Sequence, residues 1–455
     1  LLVGAIAFEI PSGKYGARVA TALIASLLFL TYPLHVESVA WVIGRVDVNC
    51  TFFYLSSIYC YFRFRRQGSR MFLAAAIVLQ LLALMSKEMA ITLPCVLVLS
   101  ELFLARCMDW KEATVRNRLF YLLGFLVMLA AFAVWRTLAI GVLVGGYGAG
   151  GLSALRQGLY NFCDVSTLQK IIYGVNEHRS LPEIFSTMAF SAWLVLLASL
   201  TIKGLIDAKT RWLLLFFAGW TVVANLPTFQ IWHIFPNLVG SRLFFLGSAP
   251  LCILLALAAV SLVERPRKPM AILLAIVAFG AGLILSGTWA VALGHNLQSW
   301  QSAGKQTSDT RTFLVDLAGK SSEEQKILLV DLPQDFEGAG LIGRAEFLAT
   351  LLSPPLSSHD LSGRVATTES PIPGQRDFIA SEKLQLKARS KDVGPVLKWS
   401  DEKGKYIDWK IESVSKKTGE KSVSDTISSV THKDFPIHFS GVEVDQFQWF
   451  AAEVD

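Results

Sequence analysis

The sequence predicts an all-α polytopic membrane fold followed by a soluble α+β domain. Three observations predict it. First, the 455 residues are 53% hydrophobic, and the mean hydropathy of +0.47 is far above that of a soluble enzyme. Second, apolar runs of roughly 17–25 residues, the length a helix needs to cross a bilayer, alternate with short polar loops from Arg18 to Gly294. Third, the character of the chain changes after Gly294, where Lys, Asp, Glu and Ser become frequent.

The spans read as 18–34, 48–64, 71–86, 89–105, 119–138, 187–203, 211–228, 243–263 and 270–294, with Leu1–Ile10 as the tail of another. That makes about nine or ten spans. The chain opens on Leu1 inside an apolar run, without Met or a signal-peptide pattern, and so reads as a piece whose N-terminus lies upstream. One set of loops carries Lys14 and Arg18; Arg63, Arg65, Arg66 and Arg70; Arg106, Lys111, Arg116 and Arg118; Lys203, Lys209 and Arg211; and Arg265, Arg267 and Lys268. The short loops between them carry only Arg45, Lys87 and Arg242, with Arg136 at the start of the one long loop. Cytoplasmic loops are the Lys/Arg-rich ones. The rule puts the first set inside, and the segment 35–47, the Lys87-Glu88 turn, the loops 136–182 and 230–242 and the C-terminal region outside.

Residues 1–294 therefore form the membrane domain and 295–455 an extracytoplasmic α+β domain. In the latter, Ile327–Pro333 is the one strong buried-strand signal and Arg344–Leu352 an amphipathic helix after it. Lys383–Ala388, Pro395–Trp399 and Tyr406–Ile411 alternate like strands. Ser353–Gln375, with Pro354, Pro355, Pro371 and Pro373, reads as a linker or surface loop. No period of roughly 34 residues marks tetratricopeptide repeats.

The formal charge of +6 needs no nucleic-acid partner, because the excess lies in the loops that face anionic lipid head groups. The six cysteines are scattered over spans and both sets of loops and imply no disulfide framework. Walker-type phosphate loops, Ser-His-Asp arrangements and Cys-x-x-Cys pairs are absent from the sequence.

The informative stretch is Tyr32–Asp47, where His35, Glu37, Arg45 and Asp47 crowd the mouth of a membrane helix. Ionisable groups there are costly, which makes them functional candidates; the alternative is an interfacial segment that uses charges only to stay at the surface. His35 and Glu37, two apart, reach one cation or one substrate in an extended turn but diverge on a helix. Two readings stand: a divalent metal held by His35 and Glu37, or Glu37 accepting hydrogen bonds from substrate hydroxyls with His35 orienting it. Arg45 and Asp47 are candidates to pair and fix this segment. Lys87-Glu88 reads either as a self-neutralising charged turn or as a lysine facing a phosphate. The Gly145–Gly151 run reads as a flexible loop.

Pro33-Leu34-His35-Val36-Glu37-Ser38-Val39-Ala40-Trp41-Val42-Ile43-Gly44-Arg45-Val46-Asp47 resembles the Pro-x-His-x-Glu-x-Val-x-x-x-x-Gly-Arg-x-Asp signature of the transmembrane and tetratricopeptide-repeat O-mannosyltransferases and their bacterial relatives. These are integral-membrane glycosyltransferases of the GT-C class. Ser86-Lys87-Glu88 with Pro94, Trp135-Arg136 with Gly145–Gly148, and Ser241–Ser248 resemble further segments of that family. The likeness covers roughly residues 1–290, and the first motif is the specific one. The family's acidic residue of the first outer loop would precede Leu1, and the C-terminal domain departs from the eukaryotic repeats.

The resemblance implies an inverting transfer of a sugar from a polyprenyl-phosphate carrier to a hydroxyl of an acceptor protein or glycan. Glu37 and His35 would stand in the catalytic region, with Arg242, Arg136, Lys87, Glu88, Arg45 and Asp47 toward substrate. Arginine suits the carrier phosphate because its planar fork pairs phosphate oxygens bidentately; a snorkelling interfacial arginine is the alternative for Arg136 and Arg242. The expected location is a bacterial inner membrane with the C-terminal domain in the periplasm. A transporter or lipid flippase is the second reading and a non-catalytic membrane scaffold the third. Transporters usually carry paired halves and mid-membrane charge; here no matching halves are visible, and Glu101, the only acid well inside a span, lies near a cytoplasmic end.

Overall fold

A computed structural model of the chain describes residues 1–10, 15–141, 151–261 and 269–320 continuously, and beyond them 326–330, 335–341, 345–362 and the strand segments given below. Lys14, the glycine motif at 145–148, the basic residues at 265–268 and Pro371 and Pro373 lie outside the described residues. The chain divides into two compact units, Leu1–Gln298 and Ser299–Asp455.

The described residues of the first unit form helices and the turns between them, and its last helix runs past the unit boundary at Gln298. Its helices are α1 (Leu2–Glu9), α2 (Tyr15–Thr31), α3 (Val36–Ala40), α4 (Arg45–Gln67), α5 (Arg70–Ser86), α6 (Leu93–Phe103), α7 (Val115–Ile140), α8 (Gly151–Cys163), α9 (Val165–Tyr173), α10 (Glu183–Ile206), α11 (Ala208–Asn225), α12 (Phe245–Ser261) and α13 (Pro269–Lys320). Local chemistry sets their ends. Tyr32, ahead of Pro33, is extended, and the chain bends by 50° between α2 and the Pro33–Ala40 segment, because proline excludes the preceding residue from helical geometry. Helix α4 stops at Gly68, whose φ of 79° gives the left-handed cap that glycine adopts without strain. The Asp207 carboxylate accepts from the backbone N–H groups of Lys209 and Thr210 and so starts α11.

Helix α12, apolar and almost wholly buried, is the axis of the unit. It packs on α2, α10 and α11, while α4 pairs with α5, α5 with α7, and α6 with α7 and α11. Helix α7 instead exposes Leu119, Phe120, Leu123, Val127 and Leu138, as a helix bordering lipid does.

Among the described residues six helical segments are long and apolar enough to cross a membrane: Glu88–Arg106, Val115–Ala139, Glu183–Ile206, Ala208–Gln230, Ser241–Val260 and Ile272–Asp316. The bent pair Tyr15–Thr31 and Pro33–Ala40 makes a seventh if it is one span. The count falls below the nine or ten expected for three physical reasons. Helix α4 is long but carries Arg45, Asp47, Arg63, Arg65 and Arg66. Helix α5 has only 17 residues. Helix α1 has eight. The last helix also continues to Lys320, well past Gly294, where hydropathy alone ends the span.

In the second unit, Lys326–Val330 pairs parallel with Val365–Thr367 and antiparallel with Phe447–Val454, which in turn pairs with Ile437–Val444. Helix α14 (Ala345–Leu351) lies in the chain between the two parallel strands, as such a crossover requires. Lys383–Lys387, Val396–Ser400 and Tyr406–Asp408 form a three-stranded antiparallel sheet, and Glu412–Val414 pairs with Lys421–Val423.

Candidate functional site

Every site residue named from the sequence lies where a helix begins, ends or breaks. His35 closes the 3-10 turn Pro33–His35, Glu37 lies in the first turn of α3, and Arg45 and Asp47 open α4. Lys87 is an extended break after α5, and Glu88 begins the turn leading into α6. Arg136 is in the last turns of α7, and Arg242 lies in the turn Ser241–Phe244 ahead of α12. Such breaks turn backbone amides and short side chains toward one another, which a continuous helix does not.

Glu37 and Arg242 meet. The Glu37 carboxylate accepts from the backbone N–H of Arg242 at 3.1 Å and from the Ser241 hydroxyl at 3.4 Å. The Nε of Arg242 stands 3.4 Å from its other oxygen. The guanidinium lies over the Trp41 ring, 4.6 Å from its centroid. Glu37 is buried, whereas 29% of the Arg242 side chain remains exposed.

Two glycines bring the segments together. A Cβ on Gly44 would sit 2.6 Å from the carbonyl oxygen of Glu37. Gly240 has a φ of 87°, and a Cβ there would meet the His233 carbonyl at 2.1 Å. Only glycine fits either place.

Two more ion pairs extend the network. Lys87 Nζ binds Asp47 Oδ1, and Arg136 Nη2 is 3.2 Å from Glu88 Oε1. Three carboxylates thus meet three cations, and Arg242 and Glu88 are both within electrostatic range of Asp47. Asp47 Oδ2 and Ser38 Oγ are buried with no hydrogen-bond partner among the described residues. An enclosed acceptor and an enclosed hydroxyl beside the network are thus left unpaired by the side chains around them.

This geometry corrects three sequence expectations. Asp47 pairs with Lys87 rather than Arg45, which is exposed and forms no ion pair among the described residues. Arg45 and Asp47 are only two positions apart on α4, so their side chains point away from each other. Lys87 and Glu88 do not neutralise each other, because the extended backbone at Lys87 sends adjacent side chains to opposite sides, one to Asp47 and one to Arg136.

Nor does His35 orient Glu37. Its Nε2 is 2.8 Å from Ser248 Oγ, and its ring lies against Phe29, Phe245 and Tyr32. His35 and Glu37 are therefore not arranged as a chelating pair. Among the described residues no three His, Cys, Asp or Glu side chains gather as a metal set.

The sequence reading missed the residues that support this floor. Asn296 donates to the carbonyls of Pro33 at 3.3 Å and Gly174 at 2.9 Å and accepts from the N–H of Asn176 at 3.0 Å. The Tyr32 hydroxyl donates to Ile171 O, Trp289 Nε1 to Ile172 O, and Lys170 Nζ to Ile234 O. Helix α9 is thereby fastened to both the His35 segment and the 230–242 loop. A single asparagine near the end of an apolar helix was the available signal, since a buried amide needs partners.

Comparison with known proteins yields short likenesses. Over 41 residues, 9% of this chain and 5% of the relative, it is 46% identical to protein O-mannosyl-transferase tmtc2 of Xenopus laevis. Over 78 residues, 16% of the chain and 10% of the relative, it is 35% identical to protein O-mannosyl-transferase TMTC4 of Homo sapiens. The matched part of the chain thus spans a tenth or less of each of these relatives. No protein-family profile matches the chain, and no solved structure does. The likeness goes as far as a glycosyltransferase-like membrane protein.

Proposed function

We propose that this chain is a membrane glycosyltransferase that moves a sugar from a polyprenyl-phosphate carrier to an acceptor hydroxyl at the non-cytoplasmic face. The observation that carries the reading is the meeting of Glu37 with Arg242. These two groups, 205 positions apart in the chain, belong to two of the four segments that resemble O-mannosyltransferase motifs. Their side chains offer a carboxylate and a guanidinium side by side at helix ends, where a lipid head group lies.

In this reading Arg242 binds the carrier phosphate with its exposed guanidinium edge, and Trp41 holds the plane of the fork. Glu37 accepts hydrogen bonds from the sugar or from the attacking hydroxyl. Arg136 and Lys87 add positive potential for the departing phosphate, where stabilising developing charge is worth most. His35 acts through packing, holding the start of α12 through Ser248. The location that fits is an integral membrane protein, of the inner membrane if the source is bacterial, with the second unit outside the cytoplasm.

The test is sugar transfer from a polyprenyl-phosphate donor by the intact protein in liposomes. Losing a contact made mainly in the transition state costs about 2–4 kcal/mol, roughly 30- to 1000-fold in rate. Glu37→Gln should lose turnover to that extent at unchanged membrane expression. Arg242→Ala should raise the KM for the donor, and Arg242→Lys should restore it only in part. Near-normal transfer by both Glu37→Gln and Arg242→Ala would refute the assignment.

A further inference from the structure

A second feature lies away from this network, between α6 and α7. There the helices leave a groove of about 450 Å³, lined by Pro94, Cys95 and Val98 on one side and Arg116, Leu119 and Leu123 on the other. Arg116, Leu119, Leu123 and Leu126 recur at the spacing of one helix face, so the groove is apolar along its length with a single charge at one end. Arg116 to Leu126 is ten residues, about 15 Å of helix. That is half of a hydrocarbon core of about 30 Å, the depth of one leaflet.

The charged end has a surplus of arginine. Glu9 is shared by Arg63 and Arg66, and Glu101 by Arg65 and Arg118. Arg118 also donates to the carbonyl of Ala113. Arg116 is exposed and forms no ion pair among the described residues. The basic loops at this end mark it as cytoplasmic, opposite the network that holds Arg242, so the groove is separate from the proposed donor site.

We propose that this groove binds one anionic phospholipid of the cytoplasmic leaflet, an acyl chain lying against Leu119, Leu123 and Val98 and the phosphate on Arg116. The occupant follows from three matches: the length of one leaflet, the apolar lining, and at head-group depth a cation, Arg116, that forms no ion pair among the described residues. A zwitterionic lipid satisfies the first two and not the third. An arginine near the membrane surface contributes about 1 kcal/mol toward an anionic lipid, a preference of about fivefold.

The experiment uses the whole chain in liposomes of phosphatidylcholine doped with phosphatidylglycerol, followed by extraction and native mass spectrometry of retained lipid. Wild type should retain phosphatidylglycerol about fivefold over its bulk fraction. Arg116→Gln should bring that preference to parity while still retaining lipid, and Leu123→Trp, which fills the groove, should lower retention of both lipids. Cys95, exposed in the groove, supplies an independent reading. It should react with a membrane-permeant maleimide in detergent and be protected when phosphatidylglycerol is added back.

An unchanged phosphatidylglycerol preference in Arg116→Gln would overturn the proposal. So would protection of Cys95 in lipid-free detergent, which would mean that a protein segment covers the groove. Neither outcome depends on sugar transfer.

Discussion

Breaking the Glu37–Arg242 pair tests the geometry before any chemistry is assayed. The two partners differ in exposure: Glu37 is 9% exposed and Arg242 29%, between a buried pair, whose disruption costs about 3–5 kcal/mol, and a surface pair worth about 0–1 kcal/mol. Removing Arg242 strands a carboxylate in a buried place, whereas removing Glu37 leaves an arginine that still reaches water and still stacks on Trp41. The costs are therefore unequal. Arg242→Gln should destabilise by about 2–4 kcal/mol and Glu37→Gln by about 1–2 kcal/mol. The double variant should cost less than Arg242→Gln alone and come close to the smaller single one, because with the carboxylate gone there is nothing left to strand. The assay is unfolding in detergent micelles followed by tryptophan fluorescence, completed as a double-mutant cycle. A coupling below about 0.5 kcal/mol, or Glu37→Gln proving the costlier variant, would refute the pairing.

Other perturbations bear on the same framework. Lys87→Met leaves the Asp47 carboxylate buried and uncompensated, so expression and monodispersity should collapse; adding Asp47→Asn should rescue them, since losing both charges costs far less than losing one. Gly44→Ala drives a methyl into the Glu37 carbonyl and should cost about 1–3 kcal/mol, read as a lower thermal midpoint. The Asp207 cap has a pH signature. Partial burial pushes its carboxyl up, yet hydrogen bonds from Thr210 and Lys209 outweigh that and hold it below the usual range. Its contribution is thus present at neutral pH and lost as pH falls through that lowered value. Asp207→Ala should cost about 0.5–2 kcal/mol at pH 7, with the difference from wild type vanishing in acid.

How far the fold was legible depended on which physical signal each element carries. Spans that are apolar from end to end, such as α7, α10 and α12, were visible because hydropathy and helix length coincide. Helix α4 was read as a span from its apolar middle, yet its ends hold Arg45 and Asp47 at one side and Arg63, Arg65 and Arg66 at the other, so composition alone does not mark it as one. Except for Arg45, these charges have tertiary partners: Asp47 with Lys87, Arg65 with Glu101, Arg63 and Arg66 with Glu9. A window of sequence cannot weigh a charge by a partner dozens of residues away. The strand Lys326–Val330 and the helix after it were legible from an apolar run and its period. The antiparallel pair Ile437–Val444 and Phe447–Val454 was not, although only Asp445 and Gln446 separate the two alternating runs, the spacing of a tight hairpin.

The site was legible as a set of residue types and not as a set of pairs. Crowded charge at helix mouths singled out Glu37, Asp47, Lys87, Glu88, Arg136 and Arg242, but sequence proximity suggested Arg45 with Asp47 and Lys87 with Glu88. The fold instead joins residues across helices, and the result is electroneutral, with three carboxylates on three cations. That neutrality bears on the proposed chemistry. In the proposed reading, a carrier phosphate reaching Arg242 would have to compete with Glu37 for the guanidinium. Phosphate wins that contest more readily at the exposed edge than at the buried one, because only there does it avoid the full cost of losing water. As Arg242 turns to the phosphate, the Glu37 carboxylate loses its cation but keeps the Arg242 backbone N–H and the Ser241 hydroxyl, and it becomes the stronger acceptor. Binding of the donor and the readiness of the carboxylate are then one event. On this argument Arg242→Ala should alter how Glu37 responds to pH as well as weaken donor binding, and a pH–rate profile unchanged by Arg242→Ala would separate the two groups again.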